Sequence, residues 1–240
     1  MILETNALGQ PIGTEVPGWE GAAAPEGTEL AGAHVVLRPL TQHDAPDLFE
    51  AYGADKDGAD ATYLPYGPYE NVAALSRQIT DFSVGPDLFY CIRDARTDQA
   101  LGQASYLRIN PEAGSIEVGN IQYGRALQRT RGATEAMVLM MAHAFDDLGY
   151  RRYEWKCNAL NAPSCRAAER LGFTYEGTHR QALVVKGRNR DTAWYSILDC
   201  EWPALKAAFA SWLDDNNFDA EGRQKRPLSH FREEKGVISA

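Results

Sequence analysis

The sequence predicts one α/β domain: a mixed, mostly antiparallel central sheet flanked by helices. Three observations carry that reading. Residues 127–173 run helix, strand, helix with little between them; residues 88–122 hold three short strands joined by polar turns; and residues 174–198 read as a closing hairpin. Hairpins on either side of a helix–strand–helix unit describe a mixed sheet with helices on its faces.

The central unit is the most sharply written. Its first helix places Met137, Met140, Met141, Ala144, Phe145 and Leu148 on one stripe of 3.6-residue period, and Gly149 stops it. In the strand that follows, Tyr153, Trp155 and Cys157 alternate with Arg152, Glu154 and Lys156, the period of two of a half-buried strand. Asn161 caps the next helix, Pro163 fits its first turn, and Gly172 ends it.

The other elements follow in order. Residues 1–33 contain no Lys or Arg and are rich in Gly, Ala, Pro and Glu; such a stretch buries little. It reads as an arm without regular structure, pinned by Ile12, Val16 and Trp19, or as a loose tail. Residues 34–38 form a first strand ended by Pro39. Thr41 or Asp44 then caps a helix that runs to Tyr52. No period fits residues 53–68. Residues 70–82 form a second helix, and strands follow at 88–94, 100–108 and 115–122. The closing hairpin pairs 174–186 with 192–198 around a hydrophilic loop, 187–191. In the helix 201–215 one stripe holds Trp202, Leu205, Phe209, Trp212 and Leu213. That stripe packs on the sheet or on a partner chain, which leaves a homodimer open. Residues 217–240 carry few apolar side chains and read as a flexible tail. The expected organisation is an arm (1–33), a domain (34–216) and a tail (217–240).

Composition excludes several classes of function. The net charge of −9 argues against a nucleic-acid binder. Cys91, Cys157, Cys165 and Cys200 show no metal-ligand spacing and read as reduced thiols. No basic segment followed by an apolar core opens the chain, and no apolar run is long enough to span a bilayer. A cytoplasmic protein with no metal and no membrane partner is expected.

Several pieces together carry a family resemblance: Ala133-Thr134-Glu135-Ala136, Asn161-Ala162-Pro163-Ser164, Leu171-Gly172-Phe173-Thr174-Tyr175-Glu176-Gly177, Gly187 with Arg190-Asp191, and Tyr195-Ser196-Ile197-Leu198. In their order and spacing the chain resembles a GNAT N-acetyltransferase over roughly residues 35–213. It is closest to the RimJ/RimL ribosomal-protein N-terminal acetyltransferases. The resemblance implies the GNAT acyl-CoA N-acyltransferase fold. It implies acetyl-CoA as co-substrate and, as acceptor, a primary amine on a small molecule or at a protein N-terminus. A GNAT-fold acyl-CoA-binding protein that has lost turnover is the alternative.

The resemblance also assigns residues. Gln128, Arg129, Arg131, Gly132, Ala133 and Thr134 would hold the donor, with Asn161 and Ser164 along its pantetheine arm. Free N–H groups at a helix start make an anion site. Arg129 and Arg131 oppose the helix dipole there, which is explained if they face a phosphate. Thr134 replaces the small residue usual in the family's loop. Ser164 and Glu176 map onto the proposed acid and base. Ala168 stands where many relatives carry a tyrosine acid, and Lys156 where some carry a glutamate base. Ser164 also reads as a helix first-turn hydroxyl, and Glu176 as a solvated strand residue. Tyr63, Tyr66 and Tyr69 would contact the acceptor or pack their loop onto the sheet, and Glu154 is a reserve base.

Overall fold

In a computed structural model of the chain, residues 4–53 and 55–237 are described. A small ribbon, β1 (Glu4–Thr5) with β2 (Pro11–Ile12), precedes the main sheet. That sheet has eight strands: β3 (Leu30–Ala31), β4 (Val35–Pro39), β5 (Leu88–Asp94), β6 (Ala100–Asn110), β7 (Ser115–Tyr123), β8 (Arg152–Asn158), β9 (Thr174–Val185) and β10 (Arg188–Leu198). Their spatial order is β3-β4-β5-β6-β7-β8-β10-β9. Every adjacent pair is antiparallel except β7 and β8, which run parallel. A parallel pair needs a crossover, and α3 (Arg131–Ala142) supplies it.

Alternation along the strands divides the core. On β5, Tyr90 and Ile92 join the larger cluster, with Met137, Met140 and Met141 of α3, while Phe89 and Cys91 join a smaller one. The smaller cluster holds Leu48 of α1 (Ala45–Tyr52) and Leu75 and Ile79 of α2 (Val72–Ser83). On the larger side, α3, α4 (Ala162–Leu171) and α5 (Trp202–Leu213) pack over Tyr153, Trp155 and Cys157 of β8. The apolar stripe of α5 is thus buried within its own chain, with Trp202, Leu205, Phe209 and Trp212 in this core. The smaller cluster on the α1–α2 side draws its strand residues, Phe89, Cys91 and Ala100, from β5 and β6. Over β7, β8 and β10 that face carries polar side chains, and the site develops there.

Three segments differ from expectation. The hydrophilic residues 188–191 are strand, not loop: Arg188 pairs with Val185 and Arg190 with Leu183. The turn shrinks to Lys186 and Gly187, both at positive φ, as tight hairpin turns demand; ladder pairing there needs no apolar side chains. The flexible tail is also corrected. Residues 228–234 form a helix, α6 (Leu228–Glu234), whose Leu228 and Phe231 are buried. Arg232 donates to the carbonyls of Glu169 (2.7 Å) and Arg170 (3.3 Å) near the end of α4. Two apolar residues three apart and one arginine on helix-end carbonyls suffice for docking. Finally, the arm lies on the domain from Trp19 onward. The Trp19 indole donates to the Glu112 carbonyl at 2.9 Å, and a Cβ at Gly114 would stand 2.4 Å from that ring. Ile12 and Val16 are exposed and pin nothing.

Candidate functional site

The parallel ladder between β7 and β8 is short. It runs from Ser115 opposite Arg152 to Val118 opposite Trp155. Beyond that point Gly119, Gln122 and Tyr123 pair only with β6, and Lys156, Cys157 and Asn158 pair only with β10. The two strands therefore part, and a wedge opens between edges that lack ladder partners. A register shift in the β6–β7 ladder between Ser105 and Gln103 falls where the wedge begins, with Asn120 at φ 51. Irregular pairing of this kind bends a strand away from its neighbour. Helices α3 and α4 both start just past the open ends of these strands, so their N-termini flank the mouth. Ligands bind at such carboxyl-end openings because helix-start N–H groups converge there.

The residues expected to hold the donor divide into several roles. Thr130 caps α3, accepting from the Ala133 amide at 3.1 Å. Gln128 ties the α1–α2 connection to β7 through Asp60 Oδ2 and the Tyr123 carbonyl, both at 2.9 Å. Arg131 turns inward: it donates to the Leu213 carbonyl and to Asp215, and lies 4.2 Å over the Phe218 ring. Gly132 serves packing, since a Cβ there would come within 2.9 Å of Val35. The Thr134 hydroxyl is buried and accepts from Arg170 at 3.1 Å. Arg129 is exposed, at φ 63, with no side-chain partner among the described residues. Across the mouth, Asn161 caps α4 by accepting from the Ser164 amide at 3.2 Å.

Ser164 and Glu176 are not brought together. The Ser164 Oγ accepts from the Trp155 indole at 3.0 Å, on the face of β8 that packs against the helices. Beside it, burial pushes the Cys157 thiol up to about 12, and Cys165 lies 3.6 Å away. Glu176 belongs to the opposite face. Arg152 grips it with two bonds of 2.8 and 2.5 Å, and Ser196 donates at 2.7 Å. The Arg152 guanidinium holds its carboxyl below the usual range. Arg152 sits in the closed part of the ladder, so Glu176 is set back from the wedge.

A carboxylate that sequence reasoning missed stands closer. Glu117, 2% exposed, lies on β7 opposite Glu154, one residue before the paired segment ends. It accepts from Arg108 at 2.7 Å and Lys156 at 3.0 Å. Burial raises its pKa despite both cations. Lys156 also reaches Glu154 at 2.6 Å and lies 3.7 Å over the Trp194 ring. Desolvation raises Glu154, but the bonds from Lys156 and Arg152 outweigh it, and its pKa is lowered. The available signal was the alternation Ile116-Glu117-Val118, a charge between two core residues. Its meaning depends on which strand β7 adjoins.

A cleft of about 1020 Å³ opens over this face, lined by Arg108, Lys156, His179, Arg180, Thr192 and Trp194 among others. The β9–β10 hairpin forms its far wall. Lys186 at the hairpin tip donates to the carbonyls of Ala61 (2.9 Å), Gly67 (2.9 Å) and Tyr66 (3.3 Å), which ties the hairpin to the α1–α2 connection. Of the three tyrosines there, Tyr66 reaches the wedge, with its hydroxyl 3.3 Å from the Asn120 carbonyl; burial pushes its phenol up. Tyr69 packs against the smaller core, and Tyr63 is half-buried. Among the described residues no His, Cys, Asp and Glu cluster could hold a metal, and no helix is long and apolar enough to cross a membrane.

The chain is similar to known proteins. The family model described as Acetyltransferase (GNAT) domain matches residues 34–174. A crystal structure of a GCN5-related N-acetyltransferase from Brucella melitensis is 42% identical, with a TM-score of 0.88 over 91% of this chain and 100% of that one. "Uncharacterized N-acetyltransferase p20" of Bacillus licheniformis is 28% identical over 172 residues, 70% of this chain and 94% of the relative. "Putative ribosomal N-acetyltransferase YdaF" of Bacillus subtilis (strain 168) is 34% identical over 73 residues, 30% of this chain and 40% of the relative.

Proposed function

The chain belongs to the GNAT acetyltransferase family, and from that premise we propose that it moves an acetyl group from acetyl-CoA to a primary amine by direct attack. One observation carries the reading: the wedge between β7 and β8, with two helix N-termini at its mouth and buried Glu117 beside it.

The residues divide the work. First-turn amides of α3, with Arg129, take the donor's phosphates. The unpaired edges of β7 and β8 bind an extended pantetheine arm as an added strand would be bound. A backbone N–H of β7 beyond Val118 holds the carbonyl oxygen as negative charge develops on it. The amine nitrogen bonds to the carbonyl carbon and gives up a proton, and the carbon–sulfur bond breaks. Glu117 is the proton acceptor, directly or through a water, because a carboxylate with a raised pKa is the better base. The Ser164 hydroxyl, whose oxygen already accepts from Trp155, relays a proton to the departing thiolate and takes one back from solvent. Glu176 acts as a positioning residue that fixes Arg152 and, through it, Glu154.

The acceptor is a small-molecule amine or a protein N-terminus; the matched stretch of YdaF supports the second. The competing reading, a binder without turnover, draws on Arg131 and Gly132 being occupied in packing. Free-thiol release from acetyl-CoA across a panel of amines decides. Steady release supports transfer; donor-induced thermal stabilisation with no release from any amine supports the binder. A donor at about 100 times its dissociation constant adds about 2.7 kcal/mol of stability, so binding alone is measurable.

A further inference from the structure

The chain carries 33 acidic and 24 basic residues, yet the cleft under the hairpin reverses that balance. Arg108, Lys156 and Arg180 line it with Asp191; Glu117 beneath them pairs with Arg108 and Lys156, which leaves Arg180 as the lining cation with no ion pair among the described residues. Asp191 is already engaged, accepting from the Gln181 amide at 2.7 Å and the Asn189 side chain at 2.9 Å.

Along β10 three polar groups stand at every second residue. Arg190 Nε, Thr192 Oγ1 and Trp194 Nε1 are all buried and all lack a hydrogen-bond partner. Thr192 and Trp194 line the cleft. The Arg190 guanidinium stands behind the cleft lining, within the field of Cys157, Glu117 and Arg108, and makes no ion pair among the described residues. A buried donor without an acceptor costs about 1–3 kcal/mol, and buried polar groups are nearly always paired. Thr192 and Trp194 in the lining call for a ligand that accepts hydrogen bonds, and Arg180 and Arg190, which make no ion pair among the described residues, call for one that is negative.

Resting on the acetyl-transfer reading, we infer that the cleft selects an acceptor bearing an anionic oxygen group, a carboxylate or a phosphate, within side-chain reach of its amine. The anionic group lies against Thr192, Trp194 and Arg180, with Arg190 behind them, and the amine faces Glu117. Purely cationic amines such as polyamines are poor acceptors, because the same cations repel them.

Matched pairs of acceptors test this: a dipeptide against its C-terminal amide, and phosphoethanolamine against ethanolamine, each followed by free-thiol release. The anionic member of at least one pair should have the higher kcat/KM by about tenfold or more, a margin in the range charge-matched sites achieve. Which pair responds identifies carboxylate or phosphate. In Arg190→Gln, and independently in Arg180→Gln, the ratio should fall toward one. A native ratio near one in both pairs, or a preference for a polyamine, overturns the inference while leaving acetyl transfer intact. Should no amine release thiol, acetyl transfer itself fails. The cleft is then read by calorimetry with an N-acetylated amino acid and its methylamide, and with phosphoethanolamine and ethanolamine. Tighter binding of an anionic member, lost in Arg190→Gln, supports an anion site; equal binding within both pairs overturns it.

Discussion

The two faces of β8 differ as sharply as any two regions of the molecule. Tyr153, Trp155 and Cys157 sink into the larger core, while Arg152, Glu154 and Lys156 build a network of ion pairs with Glu117 and Glu176. One strand thus faces the core with its odd residues and the proposed site with its even ones. The charged face is nearly as dry at its centre, since the Lys156 and Glu117 side chains are 5% and 3% exposed. Buried ion pairs are weak sources of stability because desolvation offsets their attraction. Their presence here therefore points to function, and substitutions on the two faces should fail in different ways.

The largest effect belongs to the apolar face. Tyr153 is fully buried, with Phe145, Tyr106 and Phe173 around it. Tyr153→Ala should lower stability by about 3–5 kcal/mol, the range for deleting a buried aromatic ring, as read by the urea midpoint. A loss below 1 kcal/mol would show that the core tolerates the cavity and that the two faces are less distinct than their chemistry suggests.

Glu117→Gln tests the other face. It keeps shape and removes the proposed base, so kcat/KM should fall on the order of 10²–10⁴-fold with a stability change well below that of Tyr153→Ala. In the native enzyme activity should fall as pH drops through the raised pKa of Glu117, because the base is then protonated. Normal turnover by this variant would return the role of base to another carboxylate, with Glu154 and Glu176 next in line.

How much of this was legible in the sequence follows from how local each signal is. The helix–strand–helix unit is fixed by caps and periods a few residues apart: Thr130 and Asn161 accept first-turn amides, and Gly172 takes the left-handed turn at φ 98. Those could be read. The wedge depends on where a parallel ladder stops, 37 residues apart in sequence (Val118 with Trp155), and no period encodes that. Glu176 was readable only by motif; its bond to Arg152 spans two non-neighbouring strands. The α6 helix was missed because two buried apolar residues give too weak a stripe to count.

Glu117 and Glu176 also allow a comparison by pH. The Glu176 carboxyl is depressed by Arg152. Its contribution to stability is present above its unfolded pKa, about 4.3, and is lost as pH falls through the lower folded value. Glu117 is raised by burial. Its linkage has the opposite sign: the folded state favours the protonated form, so stability is lost as pH rises through the folded pKa. Against native protein, Glu176→Gln should show a deficit at neutral pH that closes in acid, while any deficit of Glu117→Gln should shrink or reverse as pH rises from acid to neutral. Denaturant midpoints across pH 3–8 read both. Parallel pH trends in the two variants would mean that both carboxylates are governed by their cations and that burial of Glu117 is not what sets its titration.

The smallest effect is expected where the charged face meets the α1–α2 connection. Lys186 sits in the left-handed conformation at the hairpin tip and donates to three carbonyls, of Ala61, Tyr66 and Gly67. The residue is exposed, so water replaces much of what these bonds provide, and Lys186→Met should cost about 1 kcal/mol or less. Its consequence is positional. The hairpin carries Arg180, Thr192 and Trp194, which line the cleft, and an untied tip leaves that wall free to move. KM for the acceptor should therefore rise a few-fold with kcat nearly unchanged, since the groups at the wedge stay where β7 and β8 hold them. Amide hydrogen exchange near the tip should speed up in the same variant. A fall in kcat with unaltered KM would mean that the latch instead orders Tyr66 and Asn120 at the mouth of the wedge, linking the α1–α2 connection to the chemical step rather than to acceptor capture.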